Sequence, residues 1–329
     1  MREDIRAALE EGEPASAVAK RLSQKYSRRK RDVYAMVLDL SQIKDIVIDE
    51  SADTVRAGPG LTWGELNKRI SDKELATTCS MVSSVGISGL TLDGGVGWLM
   101  GSFGLTCDNL VSADVVTAEG DLLTASKEER QDLFWALCGG GGNFGVVTSF
   151  EYRLHDVVEV YGGIVAWPMN KAIEVLRGAR RLMKTIPDKL DIIFALMDAP
   201  IIGPAVSGMV CYRGDQKHGE KALDPLIRVG RPDVNDLELR PFYGISKMAD
   251  PFARPGLMNH WNSGFMTGLS DDAIKALVAM GRSLPSTDSA IHIWCHHGAV
   301  CKIASDAAAF PHREKQFNVH LISMWDDPR

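Results

Sequence analysis

The sequence predicts an α+β fold with antiparallel sheet, and three observations carry that expectation. Helical and strand patterns alternate after His155, with several antiparallel strand candidates among them. Two glycine-rich segments, Gly86–Trp98 (GISGLTLDGGVGW) and Gly139–Val147 (GGGGNFGVV), sit in the first half. The second spells G-x-G-x-x-G at Gly140, Gly142 and Gly145 in the wrong context for a parallel nucleotide-binding unit. That unit needs a strand before the motif and a helix after it. Here a helical pattern, Asp132–Leu137, comes first, and an alternating β-branched and aromatic strand, Val146–Leu154, follows. No GxxxxGK[ST] loop is present, so NTPase chemistry is not expected.

The elements read as follows. Asp4–Glu11 and Ala15–Tyr26 are helical, broken at Gly12, with Pro14 suited to a first turn. Ser27 caps a third helix with Val33, Tyr34 and Val37 on its apolar face. Lys25–Arg31 is strongly basic. Two strands joined by a polar turn at Glu50–Asp53 span residues 37–60, and Thr62 starts a helix. Ser126 and Glu129 form a capping box for the helix carrying Phe134 and Trp135, both expected in the core. Trp167-Pro-Met opens a helix through Met183, and Asp191–Met197 and Val206–Tyr212 are strands with Pro200 and Pro204 in the loop between. Ser270–Ser283 is a helix, and Ile291–His297 and Asn318–Trp325 are strands.

Composition bounds the function. The chain has 329 residues, 45% hydrophobic and 24% charged, with a net charge of −6. Those values match an ordinary globular protein and give no general reason to expect binding to nucleic acid or membrane. No apolar run approaches the ~18 residues of a membrane span. The N-terminus lacks a signal-peptide core, so a cytoplasmic location is expected. The six cysteines fit neither a disulfide framework nor a zinc site, and most are expected as buried small hydrophobes. No metal site is expected. Glycine at this density lets backbone N–H groups approach a phosphate or pyrophosphate closely.

The segments VSSVGISGLTLDGGVGWLMGSFGLTCDNLVSADVVTAEGDLLTAS and DLFWALCGGGGNFGVVTSFEYRLH resemble the FAD-linked oxidases of the vanillyl-alcohol oxidase and p-cresol methylhydroxylase superfamily, in its berberine-bridge-enzyme-like branch. The resemblance implies three parts: a helical extension at residues 1–36, an FAD-binding PCMH-type domain at 37–155 and an α+β substrate domain at 156–329. It matches the middle of the family. Neither the family's histidine-bearing first FAD loop nor its tyrosine- and asparagine-rich C-terminal segment has a counterpart, so bound FAD is expected to be non-covalent. Val82 stands where some members have a flavin-linking cysteine, and Cys79 lies three residues too early for that role. Ser83, Gly86 and Gly89 match the flavin-cradling loop, and Val85 replaces the threonine usual in that branch. Asp93 replaces the first glycine of a triple whose others are Gly94 and Gly95. Asn109, Asn143, Gly145, Val146 and Val147 match positions near the cofactor, the two valines serving equally as strand core.

The resemblance implies hydride transfer to flavin N5 from a C–H beside the hydroxyl or amine of a small alcohol, sugar or amine, with O2 as the acceptor. Tyr243, Trp261, His296 and His297 are the candidate substrate-facing groups. The two adjacent histidines point to opposite faces of a strand and cannot chelate one metal. No catalytic base is assignable. The alternative is a degenerate or chimeric core with weak or no flavin binding. Residues 12–38 are similar to the helical tail of bacterial ribosomal RNA 2′-O-methyltransferases, which implies at most a weak RNA contact through Lys25–Arg31.

Overall fold

The computed structural model describes residues 15–26, 39–200, 202–314 and 316–326, together with Asp4, Ala7, Ala8 and Glu11. It divides into two compact units, Met1–Lys44 and Asp45–Arg329. In the first, helix α1 (Ala15–Lys25) buries Val18 and Leu22. Lys25 pairs with Asp4, and the Tyr26 hydroxyl donates to the same carboxylate at 2.8 Å. The first cation of the basic run is therefore neutralised within its own unit. Residues 27–31 and the third expected helix lie outside the described residues.

The second unit opens with hairpin β1 (Ile46–Asp49) and β2 (Thr54–Ala57). The Asp49 carboxylate closes its turn by accepting from the Ser51 and Ala52 N–H groups, a side chain doing the work of a backbone turn. Helix α2 (Trp63–Ser71) has the reciprocal Thr62–Glu65 capping box. Strand β3 (Leu75–Ala76) leads through the first glycine segment, which contains helix α3 (Ile87–Leu92), to helix α4 (Met100–Phe103). Strands β4 (Leu110–Val116) and β5 (Leu122–Ser126), helix α5 (Gln131–Leu137) and strand β6 (Val146–Arg153) complete a sheet of order β1-β2-β6-β4-β5. All of its neighbouring pairs are antiparallel.

After β7 (His155–Asp156), which pairs with β3, come β8 (Glu159–Pro168), helix α6 (Ala172–Leu182), β9 (Leu190–Ala199) and β10 (Gly203–Tyr212). Helix α7 (Gln216–Ile227), β11 (Val234–Asn235), β12 (Glu238–Pro241), helix α8 (Phe242–Ile245), β13 (Met258–Met266), helix α9 (Asp271–Gly281), β14 (Ala290–His296) and β15 (Gln316–Trp325) follow. The second sheet runs β11-β8-β10-β9-β14-β15-β13, with β12 also on β8. Side-chain alternation gives it two different faces. Val165, Phe194, Val210, Ile293 and Val319 pack with α6 and α9 in one core. Ile193, Met209 and Trp294 turn the other way, into a core shared with the glycine segments and the first sheet.

Four local expectations need correction. Ser126 does not cap a helix: its Oγ accepts from the Glu128 and Glu129 N–H groups in a separate turn, and α5 begins only after Arg130, whose φ is 51°. Trp167 and Pro168 finish strand β8 instead of opening a helix, and Pro204 lies within β10. Trp135 is 45% exposed, its indole N–H donating to the Asp306 carbonyl, whereas Phe134 is buried. The cysteines are as expected: five are buried, Cys301 is half-buried, and none of the six is in a disulfide.

Candidate functional site

The two glycine segments are fastened together by backbone. The Leu92 carbonyl accepts from Gly139 N–H at 3.0 Å and Gly141 N–H at 2.9 Å. The Gly94 and Gly95 carbonyls accept from Cys107 and Thr106 at 3.0 and 2.9 Å. This packing explains several of the glycines. A Cβ on Gly95 (φ 84°) would lie 2.3 Å from Thr106, and one on Gly94 (φ 101°) 2.4 Å from the Phe310 ring. Gly145 (φ 142°) likewise meets Val115 and Val116.

Gly86 and Gly89 differ. Both are exposed, and a Cβ on either would have nothing within 4 Å among the described residues. The backbone there fronts open space that a ligand can fill. Beside it lies a cavity of about 1280 Å³, walled on one side by Val82, Val85, Leu90 and Val96 of the glycine loop. Ile164, Met209, His292, Trp294, His320 and Met324 of the second sheet form the facing wall. That volume exceeds a usual small-ligand pocket, ~300–1,000 Å³, and gives room for a flavin ring with a substrate against it.

The expected flavin contacts fall into groups. Val82 and Val85 line the cavity. Gly86, Gly89 and Asn143 are exposed, the last donating to the Gly140 carbonyl at 2.9 Å. Gly94, Gly95 and Val147 are packed inside, with Gly145 and Val146 half-buried. Asn109 is buried and fully engaged. It donates to the Phe103 and Leu105 carbonyls, and its Oδ1 lies 2.7 Å from His155 Nε2. Burial holds that imidazole well below its ordinary value, at about 4, so it is neutral and donates. Ser83 is also committed: its N–H and hydroxyl both donate to Asp250, at 2.7 and 2.6 Å. Asp93 is exposed beside Gly141.

Of the substrate-facing candidates, Trp261 lines the cavity at 55% exposure. Tyr243 does not; Lys247 Nζ sits 4.4 Å from its ring centroid. His296 is fully buried, with Phe265 edge-on at 5.4 Å. Neither of its ring nitrogens has a hydrogen-bond partner among the described residues. His297 Nδ1 bonds the Cys295 carbonyl at 2.9 Å. The histidines on the cavity wall are His292 and His320, directly opposed in the β14–β15 register. Alternation along Ile291–His296 marks His292 and Trp294 as sharing a face, and that signal could have singled them out. Among the described residues, no group of three potential ligands could hold a metal ion, and no helix is long and apolar enough to cross a membrane.

Residues 2–126 match the family model for an FAD binding domain. That match takes in the N-terminal segment, and the comparisons give no support to its likeness to a methyltransferase tail. An FAD-linked oxidoreductase of Dictyostelium discoideum is 28% identical over 293 residues, covering 88% of this chain and 64% of that one. One from Aspergillus terreus is 46% identical over 205 residues, covering 61% of this chain and 42% of that one. The crystal structure of 6-hydroxy-D-nicotine oxidase from Arthrobacter nicotinovorans superposes with a TM-score of 0.77 at 25% identity, covering 89% of this chain and 66% of that one. The chain thus spans less than two thirds of the length of these relatives. Glycine loops, two-sheet fold and relatives agree: residues 2–126 are similar to an FAD binding domain and the chain is similar to FAD-linked oxidoreductases, which supports FAD as its cofactor.

Proposed function

We propose that this chain holds FAD non-covalently and oxidises a small molecule at a C–H beside a hydroxyl or amine. The observation that carries the reading is the cavity between the glycine loop and the second sheet, lined by Val85 and Leu90, the sequence neighbours of the exposed Gly86 and Gly89. Val82, Val85, Leu90 and Val96 would bear on the flavin ring, excluding water from one face. The glycine backbone would approach the polar part of the cofactor, as unhindered N–H groups can. Bound FAD supplies hydride acceptance at N5 and reoxidation by O2. The protein's share is to orient the substrate against the ring and keep the chamber dry.

Non-covalent attachment is supported by the cavity wall itself. Val82 has no nucleophile, and burial pushes the Cys79 thiol up to about 12, leaving it protonated. Cys79 is also fully buried, does not line the cavity, and has its backbone bridged to Trp98. A second reading, a core with weakened flavin binding, is favoured by one contact. Asp250 occupies both donors of Ser83, so a flavin phosphate could use them only by displacing a carboxylate.

An absorbance spectrum of the purified chain, before and after acid precipitation, separates these readings. Flavin bands that pass into the supernatant support non-covalent FAD. Flavin held in the pellet refutes that attachment. No flavin, even after incubation with FAD, sinks the oxidoreductase reading and favours the second.

A further inference from the structure

The geometry points to His292 as the polar anchor of the substrate chamber, accepting the hydroxyl of an uncharged, largely apolar alcohol. The inference rests on reading the cavity as that chamber. His292 is half-buried at the middle of the cavity wall, on β14 between β9 and β15. Its register partners are Ala195 and His320. Among the described residues, no hydrogen bond reaches its nitrogens. His320 beside it is packed by two indoles, Trp261 edge-on at 6.4 Å and Trp294 tilted at 6.1 Å between ring centroids. Its Nε2 is buried without a hydrogen-bond partner among the described residues. His320 is thereby held in place as a neighbour, and His292 is the imidazole that a ligand can reach.

The surroundings select the ligand. Burial, with repulsion from His320, holds His292 at about 4, and burial also lowers His320. Near neutral pH both rings are uncharged, so each offers one acceptor nitrogen and no cation for a carboxylate substrate. The wall around them includes Met197, Met209, Trp261, Trp294, Ile322 and Met324, which suits apolar carbon, with the neutral polar groups Ser207, Asn259, Thr287 and Ser289 elsewhere in the lining. Charged groups gather along the remaining lining. Arg254 is paired with Asp288 at 2.8 Å, while Asp198 and Asp236 are acidic and disfavour anions. A cationic amine would use Asp198 or Asp236 instead of His292, and the test separates these from the alcohol site.

The full chain, as purified and after loading with FAD, is titrated with benzyl alcohol, benzylamine and cellobiose. Binding is followed by quenching of indole fluorescence and by the imidazole NMR resonances. Benzyl alcohol is expected to bind more tightly than the other two and to shift the His292 resonance, identified by its absence in His292→Gln. His292→Phe, which keeps the ring volume and removes the nitrogens, is expected to lose fivefold to tenfold in affinity, and His292→Gln to restore it to within about twofold. Unchanged alcohol binding in His292→Phe, an unmoved His292 resonance, or tighter binding of benzylamine would each overturn the assignment. A chain that carries no flavin yet binds benzyl alcohol through His292 would sink the oxidoreductase reading while supporting this one.

Discussion

Arg313 and Asp108 form a buried bidentate pair, Nη1 to Oδ2 at 2.6 Å and Nη2 to Oδ1 at 2.8 Å, with side-chain exposures of 3% and 6%. The Asp108 Oδ2 also accepts the Leu105 N–H at 2.7 Å. Three residues before Arg313, Phe310 lies against Gly94 and Gly139, and its N–H bonds the Cys138 carbonyl at 3.0 Å. The pair ties the segment before β15 to Asp108, between the two glycine segments, while Phe310 packs the same segment against Gly94 and Gly139. Removing one member leaves an uncompensated buried charge. Arg313→Met or Asp108→Asn should each cost about 3–5 kcal/mol in urea unfolding. The double variant should recover much of that loss, because no lone charge remains.

The glycines should separate by function when replaced one at a time. Gly139→Ala puts a Cβ at φ 116° and 2.4 Å from the Phe310 nitrogen, a backbone atom that cannot swing aside. It should lose roughly 2 kcal/mol or more of stability, or fail to accumulate as folded protein. Gly89→Ala meets nothing within 4 Å and sits inside helix α3, where alanine is favoured by up to ~1 kcal/mol. Its melting temperature should hold or rise while its affinity for FAD falls tenfold or more. Gly86→Ala should lose affinity in the same way. Unchanged flavin affinity in both open-glycine variants would show that FAD does not approach this backbone.

Ser83 gives a further test, because its donors are already spoken for. Asp250→Asn turns one of the two acceptors into a donor, so it cannot hold both the Ser83 N–H and the hydroxyl. If the contact competes with a phosphate, the variant should bind FAD more tightly than the parent in a fluorescence titration. Weaker binding would mean that Asp250 holds the loop in its binding shape.

What was legible in the sequence was local. The order helix α5, glycine turn, strand β6 follows from periodicity, as do the Thr62 helix start and the strands β9, β10, β14 and β15. The missed strands have physical reasons. Strand β8 carries Gly162 and Gly163, which dilute strand propensity but admit the Val210 and Asp236 carbonyls to within 2.3 and 2.0 Å of where a Cβ would be. Strand β13 is an edge strand exposed along most of its length, so it lacks the alternation that marks a half-buried strand. Trp135 was misplaced because its indole found a partner in Asp306, far along the chain. The candidate site was legible only in part for the same reason. Family positions located the glycine loop, but the meaning of His292 comes from its register against His320, and that of Ser83 from Asp250. Pairings of this kind depend on tertiary contact and leave no local pattern.

Acid should unfold the second unit earlier than its carboxylates alone would require. Burial lowers His292 and His296 from an ordinary value near 6.5 to about 4. The unfolded chain therefore binds protons below about pH 6.5 that the folded chain refuses until about pH 4. With more protons on the unfolded side, stability rises with pH across that window and is lost as pH falls through it. The cost at pH 5 is about 2 kcal/mol for each imidazole. Asp191 works in the opposite sense. Burial raises its carboxyl to about 6 although it accepts the Leu99 and Gly101 N–H groups at 2.7 and 3.0 Å. Its folded form holds a proton between about pH 4 and 6 that the unfolded form has lost, so this group favours the folded state as pH falls there. His155 is lowered to about 4 in the same way and burial lowers His320 too, so these histidines outweigh the one carboxyl and leave a net loss on acidification. Urea midpoints should drop between pH 6.5 and 4, and His292→Phe should flatten the slope by removing one titrating imidazole. A slope identical in the parent and in His292→Phe would mean that His292 is charged or solvated in the folded chain.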